Sequence, residues 1–548
     1  MLTQLVELRH LVAHSTAHLA ARCTEHGAIT LSRLHEHQIV LFDLAVLTAQ
    51  LTAAEQLWTH AAALTAVAAP DASLVHALAQ LYAAETLQHA LSGFTYREAA
   101  FGLSESAVTT LAQNSAAFLR QQRHPAHIAA VAELLYVTGH AGADNLTAAQ
   151  RAVQSTFRRF AEAKIAPIAQ QLHSENLLLP DAHIAALGAL GGFGLSIPTA
   201  YGGALDEDGD RLALVLASEQ LARVSFGTVG SLLIRPELVA GVLLEGATPA
   251  QKARWLPPLA RGDLQVAVAV SEPDHGSDLA QLRTRAHRVA DGWQLNGRKL
   301  WCTMAGRANM LMVLARTDPT AADPRHGLSL LMVEKPPFYD RTFTHTHGAG
   351  RLSGRAVATL GYRGLHTFEL TFEEYCVPAD NLIGGAAGEG KGYEWQIKSF
   401  AGGRVQTAGR ALGVMAAAFE TALHHTAQRV VFGRPLREYP LTQQKLVRMA
   451  MLLQAGRRLT YYSAQEADTV PALIAGALAK LFTARAAEWI AREAQQLHGG
   501  LGYAEETPVA RHFVDARLLS IFEGADEVIA VLAIAWLLLS REIGAYGR

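Results

Sequence analysis

Between Leu264 and Asp380 the apolar residues of this 548-residue chain recur every second position, whereas on both sides they follow the 3.6-residue repeat of helices. The order is therefore helical, helical, β, helical, which makes the chain a multidomain α+β protein. Val266–Val270 reads as a short buried strand. Asp291-Gly292 signals a type I′ hairpin with Trp293-Gln294-Leu295 returning, and Asn296-Gly297 signals another turn. Met310–Arg316, Leu328–Glu334 and Phe368–Phe372 complete a small β domain, expected to be barrel-like. After the glycine-rich stretch Gly384–Gly392 the helical period resumes and holds to the C-terminus. Within it, Gly388-Glu389-Gly390-Lys391-Gly392 is no dinucleotide fingerprint, because position 393 is Tyr and no strand directly feeds it.

The first 143 residues are rich in Ala, Leu and His, with scarcely any strand signal. A break at Gly139–Asn145 precedes Thr147-Ala148-Ala149-Gln150, a capping box opening a new helix. The expected domains are 1–143, 146–262, 263–384 and 388–548. Ala72–Ala84 aligns without gaps on Ala472–Ala484, with Ala77, Leu78, Ala79, Leu81 and Ala84 matched identically and Tyr82 facing Phe482. Upstream, His37-Gln38 precedes an apolar helix much as Gln443-Gln444 does. The N-terminal segment thus reads as a degenerate copy of the C-terminal helical domain.

Composition narrows the partners. A formal net charge of -2 gives no electrostatic reason to expect nucleic acid or an anionic membrane. Cys23, Cys302 and Cys376 are isolated and odd in number, so no disulfide framework or zinc site is implied, and a reducing cytoplasm fits. Met1–Glu7 shows no basic leader pattern, and the longest apolar run, Val528–Leu539, is too short to span a bilayer. His10, His14 and His18 share one helical face at metal-ligand spacing. No carboxylate or Cys converges on them in sequence, so a solvated face is expected and no metal.

Three regions carry chemistry. Gln495-Gln496-Leu497-His498-Gly499-Gly500 ends a helix and is followed by Ile521-Phe522-Glu523-Gly524. There a lone carboxylate sits between apolar residues and a glycine. Partial desolvation would raise the basicity of Glu523, and Gly524 would let a flat substrate approach the backbone. Ser271-Glu272-Pro273-Asp274-His275-Gly276-Ser277-Asp278 follows a buried strand; its turn leaves amide N–H groups and the Ser277 hydroxyl for an anionic or carbonyl-bearing ligand. Lys299-Leu300-Trp301-Cys302-Thr303 offers an indole face and a hydroxyl.

These motifs, with Arg429-Val430-Val431-Phe432-Gly433, resemble those of the acyl-CoA dehydrogenases over residues 146 to 540. The resemblance implies that family's fold: a helical domain, a β-barrel domain and a C-terminal four-helix domain, here with an extra N-terminal helical domain. It implies FAD as cofactor, held by Val268, Val270, Ser271, Ser277, Trp301, Thr303, Ala525 and Glu527. Arg429, Phe432, Gln444, Gln496, Gly499 and Gly500 match positions that hold FAD from the neighbouring subunit. Ser271 replaces a threonine of the family, and Ala525 replaces the threonine after Glu-Gly, so one cofactor hydrogen bond is missing or made by Asp526 or Glu527. Glu523 takes the place of the catalytic base that removes the thioester α-proton, while hydride leaves the β-carbon for the flavin. The Glu523 N–H and a ribityl hydroxyl would polarise the carbonyl.

Acyl-CoA is thus the expected substrate and an electron-transferring flavoprotein the expected acceptor. The assembly implied is a homodimer, with residues 1–143 covering faces that shorter relatives pack against a second dimer. Thr359-Leu360-Gly361-Tyr362-Arg363-Gly364, Gly403–Val414 and the N-terminal extension are most similar to a branch acting on a short, branched, dicarboxylic acyl-CoA. A second carboxylate needs a cationic partner, and Arg235 and Arg404 are the candidates, with Ser277 and Gly524 completing the substrate contacts. An acyl-CoA oxidase would keep every motif. A DNA-associated flavoprotein of the same superfamily would be expected to show a basic surface.

Overall fold

The computed structural model describes residues 2–206, 209–465 and 470–544. The chain forms two compact units, residues 1–151 together with 407–548, and residues 152–406.

In the unit 152–406, helices Leu212–Val224, Ile234–Gly246 and Pro249–Arg261 precede the sheet. Thr248 starts the last of them with a reciprocal capping box to Gln251 and Pro249 in the first turn, and Gly262, at φ +81°, stops it. The strands are β1 (Val266–Ala269), β2 (Arg285–Val289), β3 (Gly292–Thr303), β4 (Met310–Arg316), β5 (Leu328–Glu334), β6 (Thr342–His347), β7 (Gly350–Val357) and β8 (Thr367–Pro378). They pair in the order β1-β4-β2-β3-β8-β7-β6, with β5 on the side of β4. Among the described residues no pairing joins β6 back to β5, so the sheet is an open half-barrel, the barrel-like β domain expected from the sequence. Strands β4 and β5 are buried on both faces. Met310, Met312, Leu330 and Met332 meet the helical layer through Trp255, Leu256 and Leu259, while Leu311, Val313, Leu331 and Val333 fill the half-barrel with Trp293, Phe368, Leu370 and Phe372. That two-sided burial explains their unbroken apolar runs.

Two turns differ from those expected. The β2–β3 hairpin closes with Val289 opposite Gly292, so Ala290 and Asp291 are its central residues. Neither is left-handed, which rules out type I′. Asn296-Gly297 is no turn: it lies inside β3, where the register with β8 shifts between Phe372 and Tyr375 and Gly297 takes φ +144°. The Asn296 side chain accepts the Glu374 N–H there (2.9 Å), so an Asn-Gly pair serves a bulge.

In the other unit the N-terminal helices include α1 (Thr3–Cys23), α2 (Gln38–Ala66), α3 (Ala72–Phe94) and α4 (Pro125–Thr138). The C-terminal ones include the later part of α5 (Gly392–Gln428), α6 (Pro440–Gln465) and α7 (Val470–His498). Helix α2 is long and apolar enough to cross a membrane by length and composition, but here it packs on α3, α6 and α7. The packing is reciprocal: α2 lies on α7 and α6 on α3, while α2 meets the π-helical turn Ile529–Ala535 and α6 meets α4. Tyr82 and Phe482, matched in sequence, touch edge to face at 5.9 Å between centroids.

Two tight hairpins repeat the correspondence. Thr24–Glu25 pairs with Ala28–Ile29 around His26 (φ +51°) and Gly27 (φ +80°), and Val430–Val431 pairs with Arg434–Pro435 around Phe432 (φ +51°) and Gly433 (φ +81°). Phe42 and Arg448 each stand fifteen residues past those glycines. Glu85 bonds Arg448 (2.8 Å), and Arg485, the counterpart of Glu85, lies 5.5 Å over Phe42. Residue i meeting j while the counterpart of j meets the counterpart of i is the signature of a two-fold relation. The capping box forms as expected, Thr147 N–H to Gln150 Oε1 (2.9 Å) and Gln150 N–H to Thr147 Oγ1 (3.2 Å). On α1, His14 Nε2 meets the Gly102 carbonyl oxygen (2.8 Å), His18 packs on Gly102, and His10 is exposed.

Candidate active site

The half-barrel brings two motifs together. The Leu300 N–H donates to the Ser271 carbonyl (2.9 Å), and the buried Lys299 ammonium reaches the Val270 carbonyl (2.8 Å) and Glu272 Oε1 (3.0 Å). Glu272 also accepts the Arg283 and Thr284 N–H groups at 2.7 and 2.8 Å. Burial lowers the Lys299 pKa, partly offset by Glu272. Burial alone would raise that of Glu272, but Lys299 and the two N–H donors prevail and hold it below the usual carboxylate range. The pair therefore ties the Ser271–Ser277 loop to β3 from beneath, a role the sequence reading left unassigned.

Above this anchor Trp301 stands on β3 at φ +63° with 57% of its surface exposed, a flat apolar face left uncovered. Ser277 is exposed, Ser271 and Val268 are half-buried, and a side-chain carbon added at Gly276 would meet nothing within 4 Å. Thr303 shares a hydrogen bond with Thr367 (3.0 Å), and its carbonyl accepts from Arg235 Nε (3.2 Å). An open loop of amides and hydroxyls beside a bare indole fits a flavin and its phosphates.

Arg235 is buried, and its guanidinium also donates to the Ser231 carbonyl (2.5 Å) and the Tyr362 hydroxyl (3.2 Å). All three acceptors are neutral. Arg404 lies on α5, where burial lowers its pKa and its Nε has no hydrogen-bond partner among the described residues.

The C-terminal residues form a second group. Glu523 (φ +54°) and Gly524 (φ +99°) are successive left-handed residues, and a side-chain carbon at Gly524 would meet Ile529 Cγ1 at 2.8 Å. The setting of Glu523 is only partly the apolar one expected: its side chain is largely buried, but Ile521 is 52% exposed, and the carboxylate accepts from Arg410 Nη2 (2.8 Å to each oxygen) and from the Thr407 hydroxyl. Ala525 is half-buried. Of the two residues considered in its stead, Asp526 is buried against Lys480 (3.3 Å) and Arg485 (3.8 Å), while Glu527 is exposed.

The Arg429–Gly433 hairpin and the Gln496–Gly500 loop are joined by His425, which stacks on His498 at 4.2 Å. Arg429, Phe432, Gln444, Gln496, Gly499 and Gly500 are all exposed. Tyr362, Thr407, Arg410 and His498 lie in stretches singled out from the sequence, but no role was expected of them or of the His425–His498 stack.

Family-level sequence comparison matches residues 147–263 to the acyl-CoA dehydrogenase N-terminal domain, 267–375 to the middle domain and 390–538 to the C-terminal domain. The chain belongs to the acyl-CoA dehydrogenase family. It is accordingly an FAD-dependent oxidoreductase acting on CH–CH bonds of acyl-CoA. Among curated relatives, the (2S)-methylsuccinyl-CoA dehydrogenase of Cereibacter sphaeroides is 40% identical over 71% of this chain and 69% of its own. Among solved structures, butyryl-CoA dehydrogenase from Megasphaera elsdenii superimposes with a TM-score of 0.65 at 33% identity, covering 72% of this chain and 98% of that one. A glutaryl-CoA dehydrogenase from Mycobacterium smegmatis in complex with FADH2 gives 0.62 at 28% identity, covering 71% and 94%.

Proposed function

We propose that this dehydrogenase oxidises a short, branched, dicarboxylic acyl-CoA, (2S)-methylsuccinyl-CoA, to mesaconyl-C1-CoA. The observation that carries the reading is Arg235, a buried cation whose hydrogen-bond acceptors among the described residues are all neutral, the Thr303 carbonyl among them. A buried charge without a counter-charge is costly, and a substrate carboxylate supplies the missing one. The 40% identity to a methylsuccinyl-CoA dehydrogenase supports the same choice.

In this reading Glu523 takes the proton from the thioester α-carbon, and its own N–H helps to polarise the carbonyl. Bound FAD supplies the acceptor for the β-hydride. Val268, Val270, Ser271, Ser277, Trp301 and Thr303 hold it, and Arg429, Phe432, Gln444, Gln496, Gly499 and Gly500 complete the site of a second copy. An electron-transferring flavoprotein takes the electrons onward. Turnover of methylsuccinyl-CoA against butyryl-CoA with a flavoprotein acceptor tests the proposal. Preference for the neutral thioester would overturn it, and peroxide as the main product would make the enzyme an oxidase.

A further inference from the structure

We propose that Arg410 and Thr407 are positioning residues that aim the Glu523 carboxylate, a role that rests on the reading of Glu523 as the base. The backbone at Glu523 and Gly524 is left-handed at both residues, so the chain turns sharply at the base. That leaves the glutamate torsions to be fixed by something else. The Arg410 side chain is entirely buried, yet one of its nitrogens bonds both carboxylate oxygens at 2.8 Å and the Thr407 oxygen at 2.8 Å. The Thr407 hydroxyl closes the triangle on Glu523 Oε2.

Thr407 and Arg410 stand three apart on α5, hence on one helical face. Phe522 lies 5.1 Å beneath the guanidinium, which limits its movement. On the other side of the turn, the buried Lys480 ammonium holds the Gly524 carbonyl at 2.7 Å. The base is thus fixed at its carboxylate from α5 and at its backbone from α7. A guanidinium this deeply buried keeps its carboxylate, so the base is preset before a thioester arrives.

The test follows solvent-deuterium exchange at the α-carbon of a 3-thia acyl-CoA, in the FAD-loaded enzyme, with ligand binding read separately from the flavin spectrum. Misplacing a base costs about 100-fold, so Arg410→Met should slow exchange by that order while thioester affinity changes less than about threefold. Arg410→Lys should recover part of the rate. Thr407→Val, which preserves shape, should slow exchange about tenfold, and Thr407→Ser should restore it; this pair decides the matter if Arg410→Met does not fold. On top of Glu523→Gln, Arg410→Met should cause no further loss, because it acts only through the carboxylate. Unchanged exchange in folded Thr407→Val, or an added loss on Glu523→Gln, overturns the proposal. Exchange that survives Glu523→Gln alone would instead remove Glu523 as the base.

Discussion

Arg235 is where the substrate proposal meets a single side chain. Its three described hydrogen bonds go to two carbonyls and the Tyr362 hydroxyl, so the guanidinium is aimed without being neutralised. Arg235→Met should therefore lower kcat/KM for methylsuccinyl-CoA by roughly 2–5 kcal/mol while costing butyryl-CoA much less. Equal losses for both thioesters would make Arg235 structural. Glu523 could be singled out from sequence because it stands in a recognisable local pattern, and Arg235 because a second carboxylate calls for a cation. Arg410 could not, because its partner lies 113 residues away and only folding brings the two together. A separation of 27 residues likewise hid the Lys299–Glu272 pair, though each member sits in a motif that the sequence displays.

Elements were readable where the signal is local and chemically specific. The Thr147–Gln150 box capped its helix because both partners lie within one turn. Asn296-Gly297 misled because left-handed or extended glycine geometry serves bulges as well as turns. Strands β6 and β7 were missed because their polar alternation on an edge hairpin resembles loop.

The linker between the N-terminal segment and the next helix shows a further element-scale device. His60 on α2 meets the Ala143 carbonyl (2.9 Å), and Arg458 on α6 binds both the carbonyl and the carboxylate of Asp144 (2.9 Å each). Burial, then the nearby Arg458 charge, pushes the His60 pKa down from 6.5 to about 4. The unfolded chain thus binds the proton first, so stability should fall as pH drops from about 6.5 to about 4, by on the order of 3 kcal/mol. Denaturation midpoints across that range should be flatter in His60→Gln; an identical slope would remove His60 as the source.

At the scale of the molecule, the reciprocal packing supports reading residues 1–143 as a covalently attached counterpart of the C-terminal helices. The counterpart hairpin keeps its dihedrals but carries Cys23 and His26 where the other has Arg429 and Phe432, so the side chains assigned to FAD are gone and the packing remains. Phe432 is 93% exposed, with Leu441, Leu501 and Tyr503 also uncovered. That surface is expected to meet one second copy, whereas the faces of α6 and α7 are already covered by α2 and α3. Light scattering should give a dimer, and removal of residues 1–143 should yield a tetramer or aggregate. A native tetramer, or a truncated chain that stays a well-behaved active dimer, would refute this.

In the proposed function a second carboxylate selects the substrate. Anaerobic mixing of the FAD-loaded enzyme with methylsuccinyl-CoA and, separately, with butyryl-CoA measures it directly, because bleaching of the flavin reports the chemical step without any acceptor. The account predicts rapid, complete bleaching by methylsuccinyl-CoA and far slower bleaching by butyryl-CoA; faster bleaching by butyryl-CoA would contradict it.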